Sequence, residues 1–164
     1  MNVEQKSYDM EHLYLFLQRA KSERFYKLEQ QWLGKTVNGD LQKQQTYERG
    51  GFQLTEDFTM RESFSWQDVV RYEKRPVWMM NYFGNALKGA GKIDPDMILE
   101  LMRMSLYAVC KAGGLNGWMY RNKKGLLYMV RNYGGGNMYN GKGFVYQKEI
   151  RIYQFTYYGG IVSD

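Results

Sequence analysis

The chain has 164 residues and a net charge of +6, with 44% hydrophobic and 24% charged residues, the make-up of one globular domain and not of a disordered segment. A single cysteine and a single histidine exclude an internal disulfide and a Cys/His zinc site, so no cofactor is expected. No apolar run approaches the roughly 20 residues of a membrane helix, and the N-terminus lacks a basic stretch followed by an apolar one, so a cytoplasmic protein away from membranes is expected.

Met10, Leu13, Tyr14, Leu17 and Ala20 recur at helical spacing and predict a helix over 10–22 with Asp9 as its N-cap. Phe25, Leu28 and Trp32 would extend it as far as Gly34. Residues 34–51 are polar and glycine-punctuated and read as a surface loop. FQLTEDFTM (52–60), DVVRYE (68–73) and PVWMMNYF (76–83) are strand-like, and the last two are separated only by Lys74 and Arg75, a tight hairpin. Pro76 lacks a backbone donor and should open its strand at an edge or turn. Residues 84–94 are the most linker-like stretch. Asp94, Pro95 and Asp96 then start a second helix, with Ile98, Leu101, Met102, Ser105, Ala108 and Val109 as its stripe and Gly113 as its stop. Strands follow at 126–132, 144–149 and 150–158, with glycine turns around 134–136 and 141–143.

The order is helix, three strands, helix, three strands. The expected fold class is therefore α+β: duplicated helix-plus-three-strand units, at about 10–84 and 95–160 of a single domain. Their largely antiparallel, twisted sheet of about six strands would carry two main helices on one face. A shift of 75 residues keeps apolar parity between the halves, placing Val70 on Val145, Trp78 on Tyr153 and Tyr82 on Tyr157. Alternation along a strand then puts Trp78, Met80, Tyr82, Tyr153, Phe155 and Tyr157 on one face. Val77, Met79, Asn81, Ile152, Gln154 and Thr156 fall on the other. Such a ring-bearing face either packs under the helices as core or lines a cleft at Trp78, Tyr82, Tyr153 and Tyr157, and parity leaves both open.

The string VVRYEKRPVWMMNYFG (69–84), the helix segment FLQRAK (16–21) and the closing FTYYGGI (155–161) together resemble an uncharacterised bacterial domain. That domain occurs alone and at the C-terminus of regulators that begin with an Xre-type helix-turn-helix. The resemblance spans about residues 10–162 and is most specific at PVWxMNYxG. It implies a sensing or interaction module and carries no activity. Where such domains often have two acidic residues after the first aromatic, this chain has Gln67 and Asp68, and in the second half Lys142 and Gly143.

Familiar catalytic patterns fail on their chemistry. GNMYNGKG (136–143) lacks the hydroxyl and the following helix of a phosphate loop. KGFVYQKE (142–149) matches an RNA-recognition strand only in part and leads into another strand. Cys110 lies near a helix C-terminus, which disfavours its thiolate, and His12 reads as a surface residue. Glu56 and Asp57 are adjacent and would point to opposite faces. No coherent catalytic set emerges, and the expectation is a non-enzymatic ligand-binding or sensor module whose partner is a small molecule or another protein.

Charge supplies the alternative. Residues 101–164 hold nine Lys/Arg against two Asp/Glu, a field attractive to nucleic acid or phosphate ligands, with Arg121, Lys123, Lys124 and Arg131 as candidate contacts. Tyrosine rings beside Arg131, Lys142, Lys148 and Arg151 would stack bases and hold a backbone.

Overall fold

A computed structural model describes residues 8–27, 35–37, 40–60, 63–88, 90, 119–121, 125–133 and 138–162. Asp9 caps the first element as expected: its Oδ1 accepts the Glu11 backbone N–H at 2.7 Å, and helix α1 runs Met10–Lys27. Leu13, Phe16 and Ala20 form its buried stripe. The expected second helix lies outside the described residues, as does Cys110.

The rest is strand: β1 (Lys35–Val37), β2 (Asp40–Arg49), β3 (Phe52–Met60), β4 (Ser63–Tyr72), β5 (Arg75–Ala86), β6 (Met119–Arg121), β7 (Leu126–Asn132), β8 (Met138–Gln147) and β9 (Ile150–Ile161). All nine join one antiparallel sheet in the order β1-β2-β3-β4-β5-β9-β8-β7-β6, the two outermost strands being only three residues long. The architecture is thus largely β. This corrects the expected α+β fold of helix-plus-three-strand units on a six-stranded sheet, since among the described residues one helix accompanies nine strands.

The polar stretch 34–51, expected as a loop, holds β1 and β2. Its outward residues Gln44, Thr46 and Glu48 are polar, but so are Gln45 and Arg49 on the inward parity, so the strand carries almost no apolar alternation. Gly50 and Gly51, both with positive φ, turn β2 into β3, a conformation glycine adopts without a Cβ penalty. The glycine turn expected at 141–143 is also absent: Gly141 and Gly143 lie inside β8. The chain reverses instead at Lys148 and Glu149, and its counterpart between β4 and β5 is Glu73 and Lys74, not Lys74 and Arg75. All four turn residues have positive φ, the signature of a type I′ turn.

What recurs 75 residues apart is this hairpin. Trp66 faces Tyr82 in β4·β5, and Gly141 faces Tyr157 in β8·β9. A bulge follows Val70 in the first hairpin and Val145 in the second. The bulges turn Val77 and Ile152 inward, to 6% and 4% exposure, although alternation had placed both on the outer face. The hairpins meet through β5·β9 about the central pair Tyr82↔Tyr157.

Alternation makes the sheet two-faced. The inner face carries Phe52, Leu54 and Phe58 from β3, Phe64 and Trp66 from β4, Met80 and Tyr82 from β5, and Tyr153, Phe155 and Tyr157 from β9. Helix α1 lies on this face, where Phe16 stacks on Phe52 at 5.2 Å and Tyr14 shares a 3.1 Å hydroxyl–hydroxyl bond with Tyr139 of β8. Glu23 of α1 holds the β2 edge by accepting from the Tyr47 hydroxyl at 2.7 Å and from Arg49 at 2.9 Å.

Candidate functional site

The inner face gathers all four aromatic residues expected to line a cleft. Trp78, Tyr82, Tyr153 and Tyr157 stand on neighbouring strands β5 and β9, and are 6%, 8%, 1% and 5% exposed. Tyr82, Tyr153 and Tyr157 belong to a ladder of rings: Trp66 lies 5.4 Å from Tyr82, Tyr82 lies 6.0 Å from Tyr157, and Phe64 stacks on Tyr153 at 5.6 Å. Glycines open the room for it. Gly84 and Gly143 flank Phe155 on either side in register, and a Cβ on Gly143 would fall within the Phe155 ring. Gly141 lies under the Tyr157 ring in the same way.

Two polar atoms in this ladder have no hydrogen-bond partner among the described residues, the hydroxyls of Tyr153 and Tyr157. Leaving such a group unsatisfied costs roughly 1–3 kcal/mol. Burial pushes the Tyr157 phenol up to about 12. Burial raises Tyr153 as well, and the Phe64 backbone, near its hydroxyl but outside hydrogen-bond geometry, pulls it partly back.

The inner face also holds a pair of acids that spacing had not suggested. Glu56 and Asp68 sit directly opposite each other in β3·β4, 5% and 0% exposed. Asp68 accepts from the Trp66 indole N–H at 2.8 Å, and Glu56 accepts from the Gln45 amide at 2.8 Å. The signal was present in the strings Leu54-x-Glu56-x-Phe58 and Trp66-x-Asp68-x-Val70, where an acid occupies the apolar parity of each strand. Glu56 and Asp57 point to opposite faces as expected, Glu56 buried and Asp57 exposed. Among the described residues no group of three or more His, Cys, Asp or Glu could hold a metal ion.

The outer face has the opposite character. Strands β6–β9 contain no Asp or Glu, and their four cations, Arg121, Arg131, Lys142 and Arg151, all emerge on this face and are exposed. Arg131 and Lys142 are directly opposite in register, a like-charge pair that destabilises a bare sheet. Arg151 lies 4.2 Å over the Phe144 ring and donates to the Tyr146 hydroxyl at 3.2 Å. Both partners are neutral. Of the residues expected to contact anions, Arg121 and Arg131 are therefore on one face, while Lys123 and Lys124 lie outside the described residues. Lys148 belongs to the turn. Phe83 and Tyr158, which sequence reasoning passed over as functional residues, stand beside this basic quarter 57% and 62% exposed. His12 is a surface residue as expected, with Nδ1 3.5 Å from Asp9.

No helix among the described residues is long and apolar enough to cross a membrane. No curated protein matches the chain, and no solved structure matches it either. A family model does match, over residues 56–162, from the middle of β3 to the residue after β9, so that both hairpins and both faces fall within it. With about two thirds of its length so covered, the chain belongs to the family described as Domain of unknown function (DUF5680).

Proposed function

We propose that this domain is a non-enzymatic binding module that takes a polyanion on the outer face of β6–β9. One observation carries the reading: every cation of those strands projects from the same face, and no carboxylate in the same strands opposes them. Such a surface attracts phosphate-bearing partners by counterion release, and its affinity falls steeply with salt. The direct Arg131–Lys142 pair adds a motive, because an anion placed between them relieves their repulsion. A sensor or interaction role fits the resemblance to bacterial domains attached to helix-turn-helix regulators.

The test is retention of the full chain on immobilised heparin in a salt gradient. The wild-type chain elutes well above physiological salt. Arg131→Glu with Lys142→Glu elutes much earlier, and the slope of log affinity against log salt falls by about 2. A wild-type chain that flows through at low salt ends the proposal.

A second reading is favoured by the orphaned hydroxyls of Tyr153 and Tyr157. Buried among rings on the inner face, they suit a small ligand with an apolar body and polar ends, bound at Trp78, Tyr82, Tyr153 and Tyr157. A metabolite thermal-shift screen tests it: a true ligand raises the melting temperature of the wild-type chain and loses that effect in Tyr157→Phe.

A further inference from the structure

We infer that the polyanion is single-stranded nucleic acid, with bases stacked on Phe83 and Tyr158 and phosphates held by Lys142 and Arg131. This rests on the reading of the outer face as a polyanion surface and goes one step further, to the class of polymer.

The two rings stand on the adjacent central strands β5 and β9. Phe83 is opposite Thr156 and Tyr158 is opposite Asn81, which makes the rings diagonal neighbours with Cα atoms roughly 7–8 Å apart. More than half of each is exposed. Polar side chains stand next to them on this face, Ser65, Asn81, Asn140, Lys142 and Thr156, while Met79 and the exposed Met138 flank Gly160 one row beyond Tyr158. Two rings set among polar side chains, with the methionines one row away, form a broken surface and not the contiguous apolar patch that a protein partner would cover. They suit a partner that presents flat apolar faces one at a time between polar and charged groups, as unpaired bases do.

The cations stand where the backbone of such a strand would run. Phe83, Thr156, Lys142 and Arg131 form one continuous row across β5, β9, β8 and β7. At the ordinary strand spacing Lys142 is about 10 Å from Phe83 and Arg131 about 14 Å. Long side chains there reach the phosphates of a nucleotide whose base lies on the ring. The next row places amides beside Tyr158: Asn140 on one side, Asn81 and Gln67 on the other, with the Gln67 amide donating to Asn81 Oδ1 at 2.8 Å. That bond leaves the Asn81 amide hydrogens as donors and the Gln67 carbonyl oxygen as an acceptor for single hydrogen bonds to a base edge. A duplex would engage the cations and waste the rings, because its bases are stacked on one another.

The experiment measures fluorescence anisotropy of the full chain with a labelled single strand of about 12 nucleotides, the matching duplex, and heparin as competitor. The single strand should bind at least tenfold more tightly than the duplex. Phe83→Ala with Tyr158→Ala should weaken single-strand binding by about 10- to 100-fold and leave heparin binding unchanged. Both side chains are exposed, so the variant keeps its core, and unchanged heparin binding reports that it is folded. Equal affinity for single strand and duplex, or a ring-deleted variant that binds the single strand as well as wild type, overturns the inference while the polyanion surface stands. Failure of all three polymers to bind overturns both.

Discussion

Phe155 sits in a slot whose walls are two glycines on neighbouring strands, Gly84 of β5 and Gly143 of β8. A side chain at position 143 would occupy the volume of the ring itself, and a strand in a nine-stranded sheet has little freedom to move aside. Gly143→Ala is expected to cost about 3 kcal/mol, at the upper end for overpacking, and to lower the melting temperature in thermal denaturation. Pairing it with Phe155→Leu, which removes part of the obstruction, should recover some of that loss. The buried phenols make a second expectation at this scale. Tyr157 holds its proton to about 12 and Tyr153 is raised as well, whereas an unfolded tyrosine ionises near about 10. The folded state thus keeps protons that the unfolded state has lost, and stability declines as pH rises above about 10. In a phenolate absorbance titration, both tyrosines should stay silent beyond pH ~11 in the folded chain. Full ionisation there of all fifteen tyrosines without unfolding would contradict their burial.

At the scale of the element, the two central hairpins turn through charged residues in a conformation that favours Asn and Gly. Glu73, Lys74, Lys148 and Glu149 all have positive φ, which costs an L-residue with a Cβ roughly 1–2 kcal/mol. Replacing Glu73 and Lys74 by Asn and Gly should raise stability by about 1–2 kcal/mol and the melting temperature by about 3–6 °C in calorimetry. The turn residues also explain why the boundaries were misplaced in sequence. Glycines at 141 and 143 looked like turn signals, yet they serve close packing inside β8, while the true turn carries no glycine at all. Helix α1 was legible because its cap and its apolar stripe agree. Strand β2 was not, because near the sheet edge its inward-parity residues Gln45 and Arg49 are as polar as its outward ones, which leaves Tyr47 alone to mark a face over 44–49.

For the whole molecule, parity revealed that Trp78, Met80, Tyr82, Tyr153, Phe155 and Tyr157 share a face, and the structure places all six there. Parity failed at Val77 and Ile152 because a bulge adds one residue and turns the next side chain inward. The buried acids Glu56 and Asp68 were hidden for a different reason: their proximity depends on the register of β3 against β4, which no local spacing encodes. The basic third was visible as a charge count, but only the sheet shows that its strand cations share one side. Between the five strands on one side of the molecule and the four on the other, a single backbone ladder, β5·β9, runs through Tyr82 and Tyr157. Phe83 and Tyr158 rise from opposite banks of that ladder. A polymer gripping both rings would act as a suture across the seam between the two hairpins, so occupancy on the wet side would be felt as rigidity on the dry one.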